Sequence, residues 1–342
     1  MKCAVIYSSK TGNTKKVAEA ILQEMPEGTE LHDVASVPAD GKFDLIAMGY
    51  WIDKGTADQQ ALTFMSSIDN TKIFSFFTLG AAPDSDHAEA CRNNDKALYG
   101  ENCEIIGTYC CQGAIDPKLT AWMEELPAEH PHAPNEERRK RWAEAAEHPN
   151  QADLEAARAA IRRALAQVEK TAAIRDRLKD PKTMPFAIAK ELDVSDQDVY
   201  AAMPGDMAVA APISHFKYIW DELSRWEKAT FIAMTPGMVV EVSGPLPAGK
   251  EGHGFFNLHA PSCSLGGHIL LNNLGAVYFV SRPFMGKESH SVQFFDTDGR
   301  HAFAVYVGRD ESRQLLAESA ASFMRMKTAF RDGTGHKKQA QA

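Results

Sequence analysis

Ser9-Lys10-Thr11-Gly12-Asn13-Thr14 follows the apolar run Cys3-Ala4-Val5-Ile6-Tyr7 and precedes a segment whose apolar positions Val17, Ile21 and Leu22 recur at helical spacing. Strand, hydroxyl-rich tight loop and helix form an arrangement that turns backbone N–H groups and the positive end of a helix toward an anion. Ser9, Thr11 and Thr14 add hydroxyl donors, Lys10 adds a cation, and Gly12 lets the backbone come close. The spacing excludes a Walker loop, G-x-x-x-x-G-K-[ST], and the dinucleotide pattern G-x-G-x-x-G. A phosphate site is the functional reading. A hydroxyl-capped turn between strand and helix is the alternative.

Outward from that loop, apolar strands alternate with helices. Leu31–Val34 and Phe43–Tyr50 read as strands, Gln59–Ile68 as a helix, Lys72–Thr78 as a strand, Ala88–Leu98 as a helix and Cys103–Cys110 as a strand. Continuous apolar strands separated by helices predict a doubly wound parallel sheet covered on both faces. In such sheets ligands bind at the carboxyl ends of the strands, where the winding reverses. Three loops are expected there: the hydroxyl-rich loop, Gly49–Asp58, and Thr78–Leu79–Gly80–Ala81. In the second loop Tyr50 and Trp51 offer aromatic faces, and the N–H groups of Gly55 and Gly80 are candidates to reach a ring edge.

At these residues the chain resembles the flavodoxin family, whose phosphate loop reads [ST]-x-T-G-x-T. The G-Y-W-I-D-K-G-T-A-D loop resembles a bacterial flavodoxin-like subgroup associated with tetrapyrrole reduction. The resemblance covers residues 1–170 and implies FMN. It implies phosphate contacts at Ser9, Lys10, Thr11, Gly12, Asn13 and Thr14. It implies flavin contacts at Tyr50, Trp51, Ile52, Asp53, Lys54 and Gly55, at Thr78, Leu79 and Gly80, and at Tyr109, Gln112 and Gly113. The third loop lacks the family's usual tyrosine, which suits a flavin with one open face.

The 342 residues point to two domains. Hydrophobic content of 44% with 24% charged residues predicts packed globular structure, and the net charge of −9 argues against a general nucleic-acid binder. No run approaches the ~20 apolar residues of a membrane span, and the N-terminus lacks a signal-peptide layout. Six cysteines without paired metal-ligand spacing are expected as buried free thiols in a reducing cytoplasm. Between about 124 and 180, His130, His132 and His148 lie beside prolines and are read as loop positions rather than metal ligands, while Asp153–Val168 has helical spacing. Phe186–Leu192 and Gln197–Ala201 resemble a helix-turn-helix. The acidic start Asp196-Gln197-Asp198 would repel phosphates, so a structural cap is the expectation.

From Ala229 the pattern changes to short alternating runs: Thr230–Met234, Val239–Ser243, Gly254–Leu258, His268–Leu271, Ala276–Val280, Val292–Phe295 and Ala302–Val307. Turn signals between them predict an antiparallel meander, followed by a helix over Ser312–Met326 and a disordered tail over 336–342. Aromatics, histidines and propionate-pairing cations are the ingredients of a haem site. His215 opens an amphipathic helix, Gly252 and Gly254 flank His253, and Arg282 and Lys287 flank Pro283–Gly286.

Four stretches are similar to the intracellular haem-carrier proteins of the HutX/ChuX family: S-H-F-K-Y-I-W-D-E-L from Ser214, L-P-A-G-K-E-G-H-G-F-F-N-L from Leu246, R-P-F-M-G-K-E-S-H-S-V-Q-F-F-D from Arg282 and V-G-R-D-E-S-R-Q-L-L from Val307. This resemblance covers nearly all of 175–330, and the domain it implies is set at 171–335. It implies an antiparallel-sheet haem-carrier domain with helices, homodimerisation, and His253 or His215 as haem-iron ligand or proton donor. The resulting expectation is an α/β domain followed by an α+β domain, forming an FMN-dependent oxidoreductase that reduces or degrades haem without oxygen. The alternative is a haem carrier fused to an electron shuttle. Its electrons would serve a separate haem-opening enzyme or reduce its linear tetrapyrrole product.

Overall fold

The computed structural model describes residues 1–38, 41–127, 129–130, 133–235 and 237–334. It divides into two compact units, Met1–Glu169 and Lys170–Ala342. Pro131, His132 and the tail 336–342, all singled out in the sequence, lie outside the described residues.

The first unit runs β1 (Cys3–Tyr7), α1 (Asn13–Leu22), β2 (Glu30–Asp33), β3 (Leu45–Asp53), β4 (Thr56–Ala57), α2 (Gln59–Met65), β5 (Lys72–Leu79), α3 (Asp86–Asp95), β6 (Glu104–Gln112), α4 (Pro117–Glu124) and α5 (Glu136–Ala146), then the start of α6 (Gln151–Leu178). The main sheet is parallel, in the order β2-β1-β3-β5-β6. That is the flavodoxin-type order, which reverses its winding between β1 and β3. Every residue of β1 is buried. One face packs on a core containing Ile6, Met48 and Phe77, the other on a core containing Val5, Val17 and Phe74. The α6 helix extends well past the expected Val168. Ala157, Ile161 and Ala164 fill the first unit's core, and Ile174 belongs to a core of the second.

The second unit adds α7 (Pro185–Leu192), α8 (Asp196–Ala201), β7 (Ala208–Ala211), α9 (Phe216–Leu223), β8 (Ala229–Thr235), β9 (Met238–Gly244), β10 (Gly249–Gly252), β11 (Phe255–Leu258), β12 (Gly267–Ile269), β13 (Leu274–Ser281), β14 (His290–Asp296), β15 (His301–Val307) and α10 (Ala317–Arg331). The single meander expected from the sequence is instead two antiparallel sheets, β7-β13-β14-β15-β8-β9 and β10-β11-β12. Trp220, Phe216, Phe256, Phe294 and Phe303 pack edge-to-face and stacked between them. The Trp220 indole N–H donates to Pro247 O at 3.0 Å, satisfying its polar edge. The last helix begins at Ala317 rather than near Ser312, because Asp310 captures the Gln314 N–H and Arg313 takes a left-handed φ of 62°. The helix-turn-helix resemblance resolves as structure: the Asp198 carboxylate accepts from Ser195 N–H and Lys170 Nζ.

A buried polar cluster sits in the first unit. Asp95 Oδ1 accepts from the Tyr50 and Ser75 hydroxyls, each at 2.6 Å, and Oδ2 has no partner. Burial holds this carboxyl above the usual carboxylate range, opposed by its bonds to Ser75 and Tyr50. A raised folded-state pKa contributes stability fully below the ordinary carboxylate value and loses it as pH rises through the raised value. Asp95→Asn should therefore melt above wild type at about pH 8, by a few degrees (about 2–4 °C per kcal/mol), with the gap closing toward about pH 4. Thermal melts across that range check it; a pH-independent gap would exclude Asp95 as the source.

Candidate functional site

The chain leaves β1 at Ser8 and turns into α1 through Gly12, whose φ of 90° is left-handed. The first N–H groups of α1 thereby face the crevice between β1 and β3. Asn13 Nδ2 donates to Ala114 O (2.8 Å) and Thr11 Oγ1 (3.0 Å), tying the loop to the segment after β6. Thr14 and Thr78 were both expected at the ligand, yet they are buried with their hydroxyls 2.9 Å apart. Lys10 Nζ lies 3.2 Å from Asp116 Oδ2 and 5.4 Å from the centroid of the Trp51 ring. The Lys118 backbone N–H and then Lys10 hold the Asp116 carboxyl below the usual carboxylate range.

The second loop is a hairpin. β3 continues through Trp51, Ile52 and Asp53, and Ile52 pairs with Ala57 and Asp53 with Thr56. Lys54 and Gly55 form the two-residue turn with φ of 51° and 88°, the signature of a type I′ turn. This geometry separates the two aromatics. Tyr50 is fully buried, stacked on Phe77 and bonded to Asp95, so its ring is withdrawn from any ligand. Trp51 instead lines a cleft of about 300 Å³ with Ser8, Ser9, Lys10, Asp53 and Asp58.

In the third loop Leu79 is buried in the core, and Gly80 O accepts from Gln112 Nε2 at 3.2 Å. Gly113 N–H donates to Leu79 O. Tyr109 is turned away from the crevice, its hydroxyl donating to Asp153 O at 2.7 Å beneath α6. Cys110 has a cationic neighbour: Arg92 Nη1 lies 3.0 Å from its Sγ. Burial nonetheless raises the Cys110 thiol and pushes Cys111 up to about 12, so neither is a ready thiolate at neutral pH.

In the second unit the two proposed haem histidines occupy different environments. His215 is 4% exposed, with its ring edge-on to Phe330 at 5.3 Å; a ring enclosed in the core is not placed to meet a haem. His253 is exposed and occupies the first turn position between β10 and β11. With Gly254 it takes φ of 57° and 82°, a second type I′ turn, so the glycine serves the turn. Arg282, expected to meet propionates, donates to Thr183 O (2.8 Å) and Pro181 O (3.3 Å). Lys287 closes a third such turn, across Met285 and Gly286.

The sequence reading missed His268. It stands directly across from Asn257 on the exposed face of β10-β11-β12, with Phe255 and Lys250 on the same face. Asn257 Nδ2 donates to Lys250 O, Gly252 O and Phe255 O, which orients its Oδ1 to accept from His268 Nδ1 at 2.7 Å. With Asn257 Oδ1 as the acceptor, His268 donates from Nδ1, and Nε2 takes no part in this network. Among the described residues, no group of three or more His, Cys, Asp or Glu is placed to hold a metal ion, and no helix is long and apolar enough to cross a membrane.

Residues 4–162 match the family described as flavodoxin domain, and residues 209–326 match the family described as haem utilisation ChuX/HutX. Over 148 residues the chain is 39% identical to the intracellular heme transport protein HutX of Vibrio cholerae, covering 43% of this chain and 77% of that protein. This chain belongs to the flavodoxin and ChuX/HutX families. Over 130 residues it is 35% identical to the flavodoxin-like domain-containing protein BilS of Clostridioides difficile, covering 37% of this chain and 74% of that one. A crystal structure of ChuX aligns at 28% identity with a TM-score of 0.44, covering 46% of this chain and 98% of that one.

The flavodoxin unit offers a direct test of how tightly its crevice is built. A Cβ at Gly113 would come within 2.8 Å of Asn13 Nδ2, an amide already held at both Ala114 and Thr11. Gly113→Ala should cost about 1–3 kcal/mol through overpacking, lowering the melting temperature of this unit by about 2–10 °C. Thermal denaturation of the full chain measures it, and an unchanged melt would show that Asn13 can move without loss.

Proposed function

We propose that this chain is a cytoplasmic FMN-dependent oxidoreductase that binds haem and reduces or degrades it without oxygen, allowing iron release. The observation that carries the reading is the joining, in one polypeptide, of a flavodoxin unit and a ChuX/HutX unit. FMN, when bound, supplies one or two electrons to an acceptor.

In this reading Ser9, Thr11 and the N–H groups opening α1 receive the phosphate, and Lys10 leaves Asp116 to join them. Trp51 stacks on the ring, and the Gly80 and Gly113 backbone borders its edge. On the ChuX/HutX unit, His268 Nε2 is the ligand to haem iron, oriented by Asn257, while Phe255 flanks the macrocycle and exposed Lys250 pairs a propionate. His253, at the neighbouring turn, is placed to hold or deliver a proton. Homodimerisation through the ChuX/HutX unit is part of the same proposal.

Anaerobic stopped-flow mixing of the pre-reduced protein with haem tests the reaction. The expected result is decay of the Soret band in step with flavin reoxidation, with a product of altered mass. A Soret band that persists while the flavin stays reduced overturns it. The Vibrio relative is a heme transport protein, which favours a second reading. In that reading haem is carried unchanged, and the electrons go to a separate haem-opening enzyme or its linear tetrapyrrole product. Flavin reoxidation on adding that tetrapyrrole, with haem inert, would select it.

The ligand assignments have their own readouts. Asn257→Ala should weaken haem affinity about 10-fold or more by releasing the His268 ring, and His268→Ala should change the Soret position of the complex, while His253→Ala leaves both unchanged. Trp51→Ala should weaken FMN binding about 3- to 10-fold, read by flavin fluorescence.

A further inference from the structure

The parallel sheet of the first unit is covered without α4 and α5. After β6 such a sheet needs one more helix on its face, and α6 supplies it through Ala157, Ile161 and Ala164. The two helices in between add little to the core: α4 buries no residue and α5 only Ala145. Yet α4 carries an apolar side. Leu119, Trp122, Met123 and Leu126 recur at the i, i+3, i+4, i+7 spacing of one helix face. Leu119 is 46% exposed and Trp122 49%, and Met123 and Leu126 are only partly covered. The helix is nevertheless held in place. Asp116 caps its start, accepting from the Lys118 N–H at 3.0 Å, and pairs with Lys10. At its end Arg139 donates to both oxygens of Glu124, at 2.8 and 2.7 Å. Large apolar side chains held together in water mark a contact surface.

The charges beside that surface select its occupant. Lys118 and Glu125 are exposed, and neither makes an ion pair among the described residues. Seven residues apart, they stand within about 20° of each other around the helix axis. They therefore lie on one flank of Trp122, at opposite ends of the helix. Two copies of such a helix, laid antiparallel about a two-fold axis at Trp122, bring like flanks together. Lys118 of each copy then meets Glu125 of the other, so the pairing is made twice. A parallel arrangement would set Lys118 against Lys118 and Glu125 against Glu125.

We propose that α4 is a docking surface for a second copy of this chain, which lays its own α4 antiparallel on the first. Trp122 sits at the centre of the contact and two Lys118–Glu125 pairs flank it. Two helical turns bury far less than the ~800 Å² per partner of a standard interface, so the contact is weak and reversible. Its exposed ion pairs make it stronger at low salt. The surface belongs to the flavodoxin unit. It is separate from homodimerisation through the ChuX/HutX unit and does not depend on the flavin reading.

The test mixes equal amounts of the full chain labelled with light and heavy nitrogen and treats the mixture with a zero-length carbodiimide. Peptide mass spectrometry should find Lys118 joined to Glu125 in mixed-isotope form, which reports a link between copies. Trp122→Ala and Leu119→Glu change exposed positions, and melting curves confirm that each variant folds. Each should lower the yield of the mixed link about 10-fold or more, the effect of removing an anchor from the centre of an interface. The double variant Lys118→Glu with Glu125→Lys should link again in the reversed sense. Absence of the mixed-isotope link in the wild type overturns the proposal. So does a yield that ignores both apolar substitutions, or a double variant that fails to link.

Discussion

The complete burial of β1 is the constraint on which the first unit depends. Cys3 to Tyr7 sit between two parallel neighbours, with helices required on both faces. A strand covered on every side can release the chain only at its end, and here that end opens where the winding reverses between β1 and β3. Ser8 and the loop after it therefore fall in the crevice whatever their side chains are. Gly12, Asn13 and Asp58 then shape a position that topology has already chosen. The apolar pentapeptide and the polar hexapeptide after it act as one device: the first supplies the address and the second the chemistry.

Much of this was legible in the sequence because its signals are local. The order and type of elements in the first unit follow from apolar strands alternating with helical spacing, and the loop before α1 from its glycine and hydroxyls. What was not legible depends on which face a residue takes. Tyr50 and Trp51 are adjacent and chemically alike, but strand alternation sends one into the core and the other to the cleft. The loop reading of Gly49–Asp58 hid this, because nothing short of the Lys54–Gly55 turn showed that β3 continued. Thr14 and Thr78 were likewise read as two ligands of something else, when they are 64 residues apart in sequence and bonded to each other.

In the second unit the individual strands were readable and their assembly was not. Short alternating runs carry no information about partners, so two sheets were read as one. His268 was placed on a strand but given no role, since its meaning comes from Asn257 across the ladder and from the three carbonyls that hold the Asn257 amide. His215 stood out in the sequence for its aromatic neighbours, and those neighbours, Phe216 and Trp220, are the core that encloses it. An aromatic environment marks a ligand site and a packed interior equally well; only exposure separates them.

The turns at Lys54-Gly55, His253-Gly254 and Met285-Gly286 share one geometry with three different residues at its first position. Each of those residues holds a left-handed φ that asparagine or glycine adopts more readily. A chain optimised only for melting temperature would carry Asn at all three corners. Lys, His and Met there are small concessions of stability, and each is displayed at the apex of a hairpin. These corners are natural places to look for gains in melting temperature by substitution with Asn.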